Sequence, residues 1–130
     1  MRALLAVAVL VPGISMAAEP CDVACKIERG LRGDPVAALE VAEESGRTQT
    51  TEAVGNWLRI ASENGSPAGQ ARYGTWLARN SQAGYDCVRA VFWLGRAAAN
   101  GDPQAGRTRD KLQAFLSAQA RQSELCRDAL

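Results

Sequence analysis

Apolar and small residues recur along this chain at helical spacing, and no stretch alternates like a half-buried strand. In the segment around residues 67–80, Gly69, Tyr73, Gly74 and Leu77 fall on one helical face, and Arg72, Trp76 and Arg79 fall on another at i, i+4 and i+7. The same reading along the chain predicts helices over about 22–31, 35–45, 51–64, 67–80, 87–100 and 103–120, with a short last helix over about 123–129. Aromatic and β-branched residues are too few for a sheet core.

The apolar pattern repeats. Trp57, Leu58, Ala61, Asn64, Gly65 and Pro67 return as Trp93, Leu94, Ala97, Asn100, Gly101 and Pro103 at a constant offset of 36. A weaker upstream copy lies at an offset of 32, where Gly33-Asp34-Pro35 matches Gly65-Ser66-Pro67. Each Gly-[Asp/Ser]-Pro reads as a helix boundary. Glycine closes one helix in the left-handed region, Asp or Ser caps the next, and proline takes its first position, where a missing N–H costs nothing. Small residues such as Ala61, Gly69, Gly74, Ala97 and Ala98 let helices approach closely, and Trp57, Tyr73, Phe92, Trp93 and Leu94 fill the space between them. Such hairpins share one core, and none is stable alone.

The pattern changes character at the start of the chain. Arg2 precedes an apolar run, residues 3–11, that is too short to span a bilayer; Pro12-Gly13 and the small residues around Ala17 and Ala18 follow. We expect a signal peptide over residues 1–18, hence export, a periplasmic location and a single domain over residues 19–130. An uncleaved anchor fits less well, and Ala18-Glu19-Pro20 is a poor lipobox before Cys21. The chain carries 15 basic and 14 acidic side chains, so loss of Arg2 leaves the two in balance. That argues against a nucleic-acid partner, which requires a basic surplus.

Export makes disulfides the default state of the four cysteines, Cys21, Cys25, Cys87 and Cys126, for which three pairings are possible. The spacing holds no CxxC pair and the chain no histidine, so no metal site and no cofactor is expected. Without histidine no nucleophilic triad can be built, and neither a phosphate-binding glycine loop nor a Ser-x-x-Lys motif occurs. Glu40 and Glu44 share a helical face, with Glu43 beside them, but three carboxylates there read as a solvated surface rather than an acid/base pair. The expectation is a protein that is not an enzyme.

Gly65, Gln70, Gly74, Asp86, Arg89-Ala90, Trp93, Ala97-Ala98 and Gly101 together resemble the Sel-one-like repeat (SLR) family, relatives of the tetratricopeptide repeats. That pattern runs Gly-Asp-x-x-Ala-Gln-x-x-Leu-Gly-x-x-Tyr, then Asp-x-x-Lys-Ala-x-x-Trp-x-x-x-Ala-Ala-x-x-Gly. Here Gly69, Tyr73 and Arg89 replace its Ala, Leu and Lys. The best repeat is 65–101; weaker copies cover 33–64 and 102–116, and residues 117–130 would form a C-terminal cap. In the last copy Arg109-Asp110 replace Leu-Gly, as suits a polar capping repeat. The resemblance implies an all-α fold, a short right-handed α-solenoid of stacked antiparallel helix hairpins. It also favours the pairing Cys21–Cys25 with Cys87–Cys126, because Cys126 lies one repeat after position 90 and so beside Cys87.

In such solenoids the first helix of each hairpin lines the concave side. Carrying Arg72, Trp76 and Arg79 back by 32 and forward by 36 gives a candidate partner-binding groove. It runs from acidic (Glu40, Glu44), through Arg72-Trp76-Arg79, to apolar (Thr108, Leu112, Phe115). Trp76 and Phe115 could instead be core residues, and the loop 81–85 is a second place for a contact. The resemblance implies a protein-binding module. Its sharpest form is a periplasmic immunity protein that neutralises an envelope-acting effector delivered by type VI secretion, such as a peptidoglycan amidase or phospholipase. A general envelope scaffold or assembly factor is the alternative; a β-lactam or peptidoglycan hydrolase is remote.

Overall fold

A computed structural model describes residues 20–82, 84–118 and 125–130; the leader reading of residues 1–18 lies outside them. Six α-helices follow one another: α1 (Val23–Leu31), α2 (Pro35–Thr48), α3 (Thr51–Glu63), α4 (Pro67–Arg79), α5 (Gly84–Ala99) and α6 (Pro103–Ala118). A 3-10 turn, Cys126–Ala129, closes the chain. The described residues form no strand. Each helix packs against the next in sequence, and the 3-10 turn packs on α6 and α4. Short connections between packed helices make them antiparallel neighbours, so the architecture is an all-α, solenoid-like stack.

The three Gly-[Asp/Ser]-Pro boundaries are built alike. Gly33, Gly65 and Gly101 have φ of 95°, 94° and 97°, a region that a Cβ would strain. Each glycine N–H donates to the carbonyl three residues back (Gly30, Ser62, Ala98), and the following N–H to the carbonyl five back (Arg29, Ala61, Ala97). This double bond pattern is the Schellman motif. The residue whose N–H completes it then caps the next helix. Asp34 accepts from the N–H groups of Val36 and Ala37, Ser66 from Gly69, and Asp102 from Gln104 and Ala105. One three-residue sequence thus satisfies the end of one helix and the start of another, which fixes how sharply the chain turns.

At the first boundary this geometry has an electrostatic consequence. The Ala37 N–H, and then the Arg29 side chain that donates to Asp34 at 2.6 and 3.0 Å, hold the Asp34 carboxyl below its ordinary pKa. A depressed carboxyl contributes stability that is present above its unfolded pKa and is lost as pH falls through the folded one. In acid titrations followed by circular dichroism, the stability difference between the native chain and Asp34→Asn should therefore shrink as pH drops through that depressed value. A difference that does not change with pH would contradict it.

Small side chains set the helix spacing. A Cβ on Gly30 would lie 3.0 Å from the Trp57 ring and 3.2 Å from the Ala38 backbone, and one on Gly69 would lie 2.9 Å from Ala61 Cβ. The core between the helices is built on Leu58, Tyr73, Leu77, Leu94 and Leu112, with alanines filling the contacts. Trp57 and Trp93 both sit half-buried at its edge. Their neighbours differ: Trp57 lies over Gly30, whereas Trp93 meets Tyr73 and Phe92 edge-on at 5.8 and 5.2 Å. A buried polar link crosses the stack as well. Gln70, only 1 % exposed, accepts from Asn100 at 2.9 Å and donates to the Ser62 carbonyl at 3.4 Å, tying α3, α4 and the end of α5 together.

Three helices differ from the expectation, the first being α2, which runs on to Thr48 rather than ending near residue 45. α5 starts at Gly84 rather than Cys87, and Asp86 in its first turn accepts the Gln82 N–H at 3.0 Å, a carboxylate reaching back over an unsatisfied helix start. The last helix is a four-residue 3-10 turn preceded by Leu125 in an extended conformation, and residues 123 and 124 of the expected span lie outside the described residues. The cysteines pair as Cys21–Cys25 and Cys87–Cys126, with Cα–Cα distances of 5.4 and 5.5 Å. The second bridge joins the 3-10 turn to α5.

Candidate protein-binding cleft

Arg72, Trp76 and Arg79 project from α4 into one cleft of about 460 Å³, within the range typical of ligand sites. Ala42 from α2, Val54 and Leu58 from α3, and Ala71 from α4 give it apolar walls. Its polar lining comes from Glu43, Arg72, Thr75, Arg79 and Asn80. Arg72 pairs with Glu43 across the α2–α4 junction. Both side chains are about half exposed, so the pair contributes little stability and can open at small cost. Thr75 donates its hydroxyl to the Ala71 carbonyl at 3.0 Å, and Asn80 its amide to the Trp76 carbonyl at 2.9 Å. Arg79 is exposed and forms no ion pair among the described residues.

Trp76 is held in place from three sides. Its Nε1–H donates to the Thr51 carbonyl at 3.2 Å, its ring covers Gly55, and it stacks on Tyr73 with centroids 6.0 Å apart and planes 20° apart. Tyr73 is itself fixed by Arg89, whose Nη2 donates to its hydroxyl at 2.6 Å. Behind the indole lies a second cleft of about 370 Å³, with Glu52, Asn56, Arg59 and Asp86 in its lining. Trp76, together with Asn80, therefore borders both clefts. It belongs both to the edge of the core and to the surface.

The absence of a Cβ at position 55 is what seats this ring. A Cβ there would lie 2.3 Å from Trp76 Cζ2. Gly55→Ala should move the indole off the Thr51 carbonyl and destabilise the fold by about 1–3 kcal/mol through overpacking, less up to about 1 kcal/mol that alanine returns in helix propensity. The Trp76 indole N–H resonance reports the movement. If that signal keeps its native position in the variant, the ring is not seated over Gly55.

The other residues expected in the groove are not brought to Trp76. Glu40 pairs with Lys26 at 3.0 Å and Glu44 with Arg47 at 3.4 Å, and neither lines the cleft. Thr108 is half-buried and donates to the Gln104 carbonyl of its own helix at 3.0 Å. Leu112 must be removed from the partner-binding set. It is fully buried at 0 % exposure, in the same core cluster as Cys126, on the helix that the 3-10 turn covers. Phe115 packs half-buried against that cluster. Of the residues expected in the groove, Arg72, Trp76 and Arg79 line this cleft on α2, α3 and α4.

Sequence reasoning missed Glu43 as the partner of Arg72, and missed Val54, Leu58 and Asn80 as lining. Arg72 and Glu43 are 29 apart, not 32, so the partner of Arg72 is not its repeat equivalent, Glu40. The second helix of the hairpin, α3, contributes a wall that a first-helix-only groove leaves out. Among the described residues no group of His, Cys, Asp and Glu is placed to hold a metal ion, and no helix is long and apolar enough to cross a membrane. Compared with protein-family models, with curated proteins and with solved structures, the chain matches none.

Proposed function

We propose that this chain is an exported, periplasmic protein-binding module of Sel-one-like repeat type that receives a segment of a partner protein in the α2–α3–α4 cleft. Its most specific form is an immunity protein, which blocks an envelope-acting effector of the amidase or phospholipase kind. One observation carries the reading: a half-buried tryptophan and two arginines of the same helix line one cleft with apolar walls. Tryptophan and arginine are the residue types that dominate binding hot spots, and a partly desolvated pocket is where they do so. The apolar leader and the paired cysteines support export. The step from binding module to immunity protein is an analogy drawn from the repeat resemblance.

Affinity capture from an envelope extract, followed by binding measurements on the captured protein, tests this. Trp76→Ala and Arg72→Glu should each weaken the complex by about thirtyfold or more, the scale of a hot-spot residue, in variants shown by circular dichroism to remain helical. Equal capture by both variants would refute the cleft as the contact. Capture of a hydrolase, with protection of cells from it, supports the immunity form. Capture of resident envelope proteins alone supports the scaffold.

A further inference from the structure

We infer that the partner segment entering this cleft carries a bulky apolar side chain with a carboxylate immediately beside it. This rests on the cleft being the contact site. The interior of the cleft offers Ala42, Val54, Leu58, Ala71 and the Trp76 indole, so a desolvated apolar group is what its walls reward. The rim decides what flanks that group. Two guanidiniums, Arg72 and Arg79, face one carboxylate, Glu43. Glu43 is already paired with Arg72, which leaves Arg79 as the charge without an ion-pair partner among the described residues. Arg79 lies three residues from Trp76, within one helical turn of the indole. An acid beside the anchoring side chain would therefore meet a planar, fivefold donor that can grip a carboxylate through two hydrogen bonds.

The last carbonyls of α4 carry a partial negative charge of about half a unit, and the full positive charge of Arg79 outweighs it. A basic residue in the same place would meet the charge of Arg79 and would have to compete with Arg72 for Glu43, the one carboxylate in the cleft lining. It is therefore disfavoured by repulsion and by that competition.

Selection of random dodecapeptides displayed on phage against the immobilised, oxidised protein tests the inference. Enriched sequences should place Phe, Trp, Leu or Ile next to Asp or Glu. A synthetic peptide taken from them should bind Arg79→Glu at least tenfold more weakly than the native protein. Selection on Arg79→Glu should instead enrich Lys or Arg beside the apolar residue. Arg79 is exposed and has no ion-pair partner among the described residues, so this variant should leave the helix stack intact. Peptides that require Trp76 but carry no acid, or that bind Arg79→Glu equally well, overturn the inference and leave the cleft standing as a site. Failure to enrich any Trp76-dependent peptide removes the cleft reading and the inference with it.

Discussion

Reducing the Cys87–Cys126 bridge should lower the unfolding free energy by about 4 kcal/mol, the value for a closed loop of about 40 residues in the chain-entropy account. The two cysteines are 39 apart in sequence and both are fully buried. The bridge spans α5, α6 and the segment leading to the 3-10 turn, so cutting it releases the unfolded chain from a constraint over nearly a third of its length. It also frees the turn that packs on α6, where Leu112 lies buried. Urea titrations of a Cys21→Ser, Cys25→Ser variant with and without reductant measure this directly, because Cys87–Cys126 is then the one bridge that reduction opens and its sulfur volume stays in place. Domains of this size are stable by only about 5–15 kcal/mol, so the reduced chain should unfold at a much lower urea concentration. Opening Cys21–Cys25, only four residues apart at the start of α1, should cost less. A change below about 1 kcal/mol on reducing the long bridge would mean that the unfolded chain is already compact there.

The fold was legible because its signals are local and written more than once. Gly33-Asp34-Pro35, Gly65-Ser66-Pro67 and Gly101-Asp102-Pro103 each combine a left-handed residue, a capping oxygen and a preset proline. The backbone follows all three within a residue. The buried face of α4 was equally plain, since Gly69, Tyr73, Gly74 and Leu77 are all buried as their spacing requires.

The candidate site was legible only on one helix. Arg72, Trp76 and Arg79 share a face by periodicity alone, and they do line one cleft. Extending that face by the repeat offset failed on both sides, for different reasons. Towards the N-terminus, Glu43 rather than Glu40 reaches Arg72, while Glu40 turns to Lys26 of α1. Towards the C-terminus, the position equivalent to Trp76 is Leu112, which is fully buried in the core cluster. The chain packs its own 3-10 turn onto that helix and makes the position core. Periodicity fixes which residues share a face. It does not fix what comes to cover that face.

The close approach of α4 to α5 supplies the second large effect. Leu94 of α5 is 1 % exposed, and a Cβ on Gly74 of α4 would lie 2.7 Å from its Cγ. Leu94→Ala should cost about 2–5 kcal/mol, the transfer of the lost methyls plus the cavity they leave. Gly74→Ala should cost about 1–3 kcal/mol by overpacking, despite the better helix propensity of alanine. The two changes act on one volume, so they should not add. With Leu94 shortened, the new methyl at position 74 enters the space its branch occupied, and the double variant should be more stable than the sum of the single losses by about 1 kcal/mol or more. The relief is partial, because the same Cβ also lies 3.1 Å from the Ala90 carbonyl oxygen and from the Leu94 backbone nitrogen, neither of which the second substitution moves. Denaturant midpoints for the four proteins close the cycle. Strict additivity would show that α4 and α5 do not meet at this pair, and the register of the central hairpin would then have to be redrawn.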